Sequence, residues 1–224
     1  MRTIIVTSLA TAWSVPLLLG FALTGRGLMW RVLDFLDANM VNGRRQKTAL
    51  TAAIWIFALF STSAALAPAP LSDRAAAVVM MAFLTQAGTT DAISGYLPRT
   101  FTARLLLGGL LWGIVQDAPD NVIQTQLLET AAMGGLMVLL GALANRGIQR
   151  LGQGDLWLIT GLTAWMGIKD VALATLCGAA AFVLWLMTWH LSGKKEGPLG
   201  PWLCLSGSLF QLSHLYQPVW ISIL

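Results

Sequence analysis

The chain is poor in charge. Only 11% of its 224 residues are Asp, Glu, Lys or Arg, against roughly a quarter in soluble domains. Meanwhile 56% are hydrophobic and the mean hydropathy is +0.70. That deficit excludes a soluble globular domain. Apolar runs recur from one end to the other, so residues 1–224 read as a single transmembrane domain with no stretch left for a second, water-soluble one. Cysteine is nearly absent too. Cys177 and Cys204 lie inside apolar runs and form no CxxC pair, so neither a disulfide framework nor a thiolate metal site is expected. His190 and His214 have no metal-ligand spacing around them and read as helix-end or interfacial residues, so no metal or other cofactor is expected. There is no internal repeat, low-complexity tract or heptad pattern of the kind a scaffold would show.

What is present is apolar and basic, with a net charge of +4 and a pI near 9.5. In a membrane protein, basic residues report topology rather than nucleic-acid binding. The partner expected is therefore the bilayer, with no nucleic acid. At about 20 residues per crossing, eight candidate spans emerge: Thr3–Leu23, Ala49–Ala67, Ala75–Thr90, Leu105–Val115, Leu127–Ala144, Leu156–Gly167, Val171–Leu191 and Pro201–Tyr216. The first reads as an uncleaved helix, because its apolar stretch runs to Leu23 and its positive charges lie downstream, the reverse of a signal peptide.

Alternation of these spans, with the loop after the first facing the cytoplasm, puts eleven basic residues inside: Arg26, Arg31, Arg44, Arg45, Lys47, Arg99, Arg104, Arg146, Arg150, Lys194 and Lys195. Only Arg2, Arg74 and Lys169 fall outside, as the positive-inside rule requires. The expected architecture is all-α and polytopic, with about eight transmembrane helices and both termini periplasmic. The short span Leu156–Gly167 covers about 18 Å of a roughly 30 Å core, and if it were re-entrant everything after it would flip. The longest cytoplasmic loop, Thr24–Lys47, carries Trp30, Leu33, Phe35 and Leu36 among charges, the pattern of a helix lying on the membrane surface.

Of the ten acidic residues, Asp34, Asp37, Asp73, Asp117, Asp120, Glu129, Asp170 and Glu196 fall in or beside expected loops and read as solvated. Asp91 and Asp155 differ. Asp91 ends an apolar run about 24 Å long and leads into a polar bend holding Ser94, Gly95 and Pro98. Asp155 follows Gly152-Gln153-Gly154 and is followed at once by Leu156, Trp157, Leu158 and Ile159. Both reach the cytoplasmic face at similar depth. Two carboxyls close together in a low-dielectric site cannot both ionise, so such a pair shares a proton. One member then takes a proton from water attacking a peptide carbonyl while the other donates to the carbonyl oxygen. The glycines at 152 and 154 suit a place where another chain must approach the backbone closely.

These motifs resemble those of the type IV prepilin leader peptidase family, within the wider group of GxGD intramembrane aspartyl proteases. The resemblance rests on three stretches. Asp91 is followed seven residues later by Pro98 in Leu97-Pro98-Arg99-Thr100-Phe101-Thr102; Gly152-Gln153-Gly154-Asp155 runs on to Leu158, Ala164-Trp165 and Gly167; and Pro198-Leu199-Gly200-Pro201-Trp202-Leu203 is similar to a PFGPFL-type segment opening the last helix. The resemblance implies Asp91 and Asp155 as catalytic residues, with Gly152, Gly154 and Pro98 shaping the site. It implies a multi-pass enzyme of the bacterial inner membrane that cuts the basic leader from prepilin or pseudopilin substrates of type IV pilus and type II secretion systems, ahead of their hydrophobic N-terminal helix.

Family members that also N-methylate the new terminus with S-adenosylmethionine carry a cytoplasmic insertion, often with paired CxxC motifs. The loop Thr24–Lys47 is too short for it and has no cysteine, so peptidase activity without methylation, and without S-adenosylmethionine, is expected; the bifunctional enzyme is the alternative. The family's frequent Lys two residues after the second aspartate is Trp157 here. Two readings from other classes are an ion-coupled transporter, which would place acids deeper and in paired broken helices, and a non-catalytic assembly scaffold, which would tolerate loss of either acid.

Overall fold

The computed structural model describes residues 11–38, 44–116, 120–146, 152–190 and 197–223. Among them all regular structure is helical. A 3-10 turn at Thr11–Trp13 leads into α1 (Ser14–Ala38), followed by α2 (Arg44–Leu66), α3 (Leu71–Ser94), α4 (Arg99–Val115), α5 (Asp120–Ala144), α6 (Gln153–His190) and α7 (Gly200–Ile223). Four stretches among the described residues are long and apolar enough to cross a membrane: Gln46–Leu66, Leu71–Ser94, Val122–Ala144 and Gln153–Thr188. The chain is a helical membrane protein.

Helix boundaries differ from the expected ones wherever an apolar run continues into an amphipathic one. The helix expected to stop at Leu23 runs on to Ala38. Gly25, Met29, Val32 and Leu36 form a buried stripe at helical spacing, while Arg26, Trp30, Arg31, Asp34 and Asp37 stay exposed. The segment 24–38 is thus the amphipathic continuation of α1 and not a separate surface helix. Likewise α4 begins at Arg99 rather than Leu105, because Pro98 (φ −65°, ψ 136°) sets an extended N-cap and Arg99 starts the helix immediately after it.

The chain divides into two compact units, Met1–Gln86 with Ser208–Leu224, and Ala87–Gly207. In the first, α1 and α2 approach closely at Gly25, where an added Cβ would lie 3.2 Å from Phe57. Phe21 meets Phe57 edge to face at 6.2 Å, and Ala64, Ala77, Met81 and Leu215 complete the buried cluster. Arg74, expected in an external loop, is instead buried, and its Nη1 donates to Ala65 O at 2.8 Å at the C-terminal turn of α2.

In the second unit, α4 and α5 pack against the N-terminal half of α6. Gln126 Nε2 donates to both Gly109 O and Ala164 O, and Trp165 Nε1 donates to Leu105 O at 2.7 Å. Helix α6 breaks at Gly167 (φ 79°, ψ 170°), a backbone conformation open almost only to glycine. A straight helix would place Gly178 about 34 Å from Asp155. Gly178, however, packs on Trp202, two residues beyond the Gly200 that binds Asp91, and Asp91 in turn interacts with Asp155. The two halves of α6 therefore do not run on in one line but bend sharply at Gly167. The expected segments Leu156–Gly167 and Val171–Leu191 are its two arms. Glu129, expected as a solvated loop residue, lies half-buried inside α5, and its Oε2 accepts the Ile168 N–H at 2.9 Å. It caps the second arm where the break has freed backbone amides.

Candidate active site

Asp91 sits one turn before the end of α3, which is closed by Gly95 in the left-handed region (φ +67°). Gly95 N–H donates to Asp91 O at 2.8 Å, and Ser94 Oγ donates to Thr90 O at 2.7 Å. These bonds turn the chain through Tyr96 into Leu97 and Pro98, both buried. Asp91 as a residue is only 5% exposed. Its Oδ2 accepts the backbone N–H of Gly200 at 3.0 Å. Gly200 is the first residue of α7, so the acid meets the positive end of a helix dipole.

Asp155 projects from the first turn of α6 and is half-buried. Its Oδ1 is buried and has no hydrogen-bond partner among the described residues. The turn after Asp91 and the first turn of α6 meet where Gly154 packs on Leu97, which brings the two carboxyls, distant in sequence, to the same end of this unit. Each neighbouring glycine leaves space for a specific atom. At Gly152 an added Cβ would lie 2.9 Å from Asp155 Oδ2, and at Gly200 it would lie 2.6 Å from Asp91 Oδ2. At Gly154 it would lie 2.6 Å from both Leu97 Cβ and Leu97 O. The close approach expected beside the second aspartate is therefore made by this chain's own Leu97. Neither Gly152 nor Gly154 has positive φ, so each serves by its missing side chain rather than by its backbone freedom.

Of the residues singled out from sequence, the structure brings Asp91, Asp155, Gly152, Gly154 and the Leu97-Pro98 corner into one cluster, with Pro98 acting through the backbone as the N-cap of α4. Sequence reasoning missed Gly200 as a site residue, although the segment Pro198–Leu203 that contains it was already conspicuous. It also missed the Arg99 guanidinium, which donates to Gln153 Oε1 and so ties the start of α4 to the start of α6. Ala164 and Trp165 serve packing, since a Cβ on Gly109 would already lie 2.8 Å from Ala164.

With this geometry in place, comparison with known proteins decides the family. Residues 78–187 match the model of the type IV leader peptidase family and contain both aspartates. This segment belongs to that family. A prepilin leader peptidase/N-methyltransferase of Dickeya chrysanthemi is 36% identical over 126 residues, covering 53% of this chain and 44% of that protein. One from Burkholderia pseudomallei is 32% identical over 152 residues, covering 62% of this chain and 46% of the relative. A type 4 prepilin-like proteins leader peptide-processing enzyme of Escherichia coli O78:H11 is 29% identical over 139 residues, covering 59% and 49%. The chain thus spans about half the length of the curated relatives it matches. No solved structure matches it. Gly200 lies outside the leader-peptidase segment yet binds one of the two acids within it.

Proposed function

We propose that this protein is an intramembrane aspartic endopeptidase that removes the basic leader from type IV prepilin-like substrates at the cytoplasmic face of the inner membrane. The observation that carries the reading is the meeting of Asp91 and Asp155 at the ends of two apolar helices, with Gly200 N–H bound to one of them. The donated amide marks Asp91 as the member that accepts a proton. Asp155, whose Oδ1 meets no donor, holds the shared proton. Water gives a proton to Asp91 as its oxygen attacks the scissile carbonyl, and Asp155 donates to the carbonyl oxygen. The tetrahedral intermediate collapses as the leaving nitrogen takes a proton from Asp91 and a hydroxyl of the gem-diol returns one to Asp155, which re-forms the carbonyl, restores the starting protonation and releases leader and mature chain. Eight crossings with periplasmic termini put both acids on the cytoplasmic side, in keeping with the charge distribution.

Asp91→Asn and Asp155→Asn are each expected to abolish leader removal in cells co-expressing a tagged prepilin, with the variant still in the membrane. Each loses a general acid or base worth about 10²- to 10⁴-fold. Normal processing by either variant would reject the assignment and leave the transporter or scaffold. A second reading, peptidase with N-methyltransferase, is favoured by the names of the relatives. The short segment 24–47 argues against it, and the mass of the mature product, expected to be unmethylated, separates the two.

A further inference from the structure

On the face of α6 turned away from Asp155, a cavity of about 480 Å³ opens between α5, the first turns of α6 and the start of α4. That volume is within the usual range for small-molecule sites, roughly 300–1,000 Å³. Its two ends differ in chemistry. At one end stand Asn145 and Gln153, at the ends of the apolar stretches Val122–Ala144 and Gln153–Thr188, together with Arg99, the first residue of α4. From there the groove runs along α5 toward Gly134, a distance of about 16 Å at 1.5 Å per residue. Its walls are Met137, Val138, Leu156 and the flank of Trp157, with Gly141 and Ala142 leaving the width.

We propose that this groove binds an anionic glycerophospholipid, with the phosphate at Arg99 and Gln153 and an acyl chain laid along Met137, Val138 and Leu156. Three observations favour that occupant. Arg99 is exposed, and among the described residues no carboxylate pairs with it. Its bond to Gln153 Oε1 fixes that amide so that it also presents N–H groups, giving a planar cation and a neutral donor side by side, the combination suited to a phosphate. Arg146, exposed and next to Asn145, adds positive charge at the same end. Trp157 is 42% exposed at this level, where an indole matches the boundary between headgroups and acyl chains. Val138, 65% exposed, opens the groove to the lipid side. A basic, donor-rich mouth at a span end above an apolar trough matches a headgroup and its chain, whereas a peptide with a basic leader would meet like charge at Arg99.

The proposal does not rest on peptidase activity, and its test reads binding. Purified full-length protein is loaded with phosphatidylglycerol or with phosphatidylcholine of the same chains, and retained lipid is counted by native mass spectrometry. Phosphatidylglycerol is expected to be retained in preference. Arg99→Gln should weaken that retention roughly fivefold, as for one surface cation lost to an anionic lipid. Val138→Trp, which fills the trough from the lipid side without entering the core, should remove it. Equal retention of both lipids, or unchanged retention in Arg99→Gln, would overturn the proposal. So would a photo-cross-linker at position 138 that captures a prepilin hydrophobic segment while lipid retention is unaffected by Val138→Trp, which would assign the groove to the substrate.

Discussion

Replacing Gly200 by Ala isolates the contact between the last helix and Asp91. The new Cβ would lie 2.6 Å from Asp91 Oδ2 and 3.1 Å from its Cγ. Ordinary contact begins at 3.4 Å, so 3.4 minus 2.6, or 0.8 Å, must be found by movement. Two movements are open: the carboxyl turns away, or the first turn of α7 retracts. Either one lengthens the 3.0 Å bond from Gly200 N–H to Oδ2 beyond hydrogen-bonding range. A hydrogen bond to a charged group is worth about 1.5–3 kcal/mol. At 1.36 kcal/mol per decade of rate, kcat should fall roughly 10- to 150-fold. KM should change little, because in the proposed mechanism the contact positions a reacting group and does not hold substrate. The assay is leader removal by purified enzyme in nanodiscs under saturating and limiting prepilin, with the thermal midpoint measured on the same samples. Gly135→Ala is the control, since an added Cβ there meets nothing within 4 Å; it should leave kcat intact and the midpoint equal or higher. Wild-type kcat in Gly200→Ala would refute the role given to this amide. A fall in rate that merely tracked a fall in midpoint would refute it equally.

The remaining predictions concern the frame of the site. Gly154→Ala would drive a Cβ to 2.6 Å from both Leu97 Cβ and Leu97 O, an overpacking of about 1–3 kcal/mol. Adding Leu97→Ala should recover only part of the lost thermal midpoint, because the carbonyl stays; full recovery would show that the backbone contact is unimportant. Gly167→Ala forces a side chain into φ 79°, ψ 170° with Glu129 Oε2 at 3.0 Å, at about 1–3 kcal/mol. In denaturant-induced unfolding Glu129→Gln, which can still accept the Ile168 N–H, should lie near wild type, while Glu129→Ala should lose about 1 kcal/mol as a missing cap does. Equal midpoints for the two Glu129 variants would sink the capping role.

Much of this was legible along the chain. Long apolar runs cannot be hidden, because burying backbone in lipid demands helices, and the scarcity of charge made Asp91 and Asp155 conspicuous in places where a carboxyl is costly. Their flanking glycines, Pro98 and the segment Pro198–Leu203 form local patterns that together point to a family. Helix ends were less legible. Segments 24–38 and 99–104 continue helices with one apolar stripe, and polar residues on the other face make such turns look like loops. Tertiary structure alone decided what the special residues touch. Gly154 accommodates Leu97, Gly200 accommodates and binds Asp91, Glu129 caps an arm that begins after Gly167, and Arg99 meets Gln153. Each of these pairs joins residues remote in sequence. The sequence by itself determined that there are apolar helices and that two of them end in carboxyls, because those are properties of single segments and of transfer from water. Which segments lie side by side, and therefore that the two carboxyls form one site, depends on side-chain volumes meeting across helices, and no single segment encodes that.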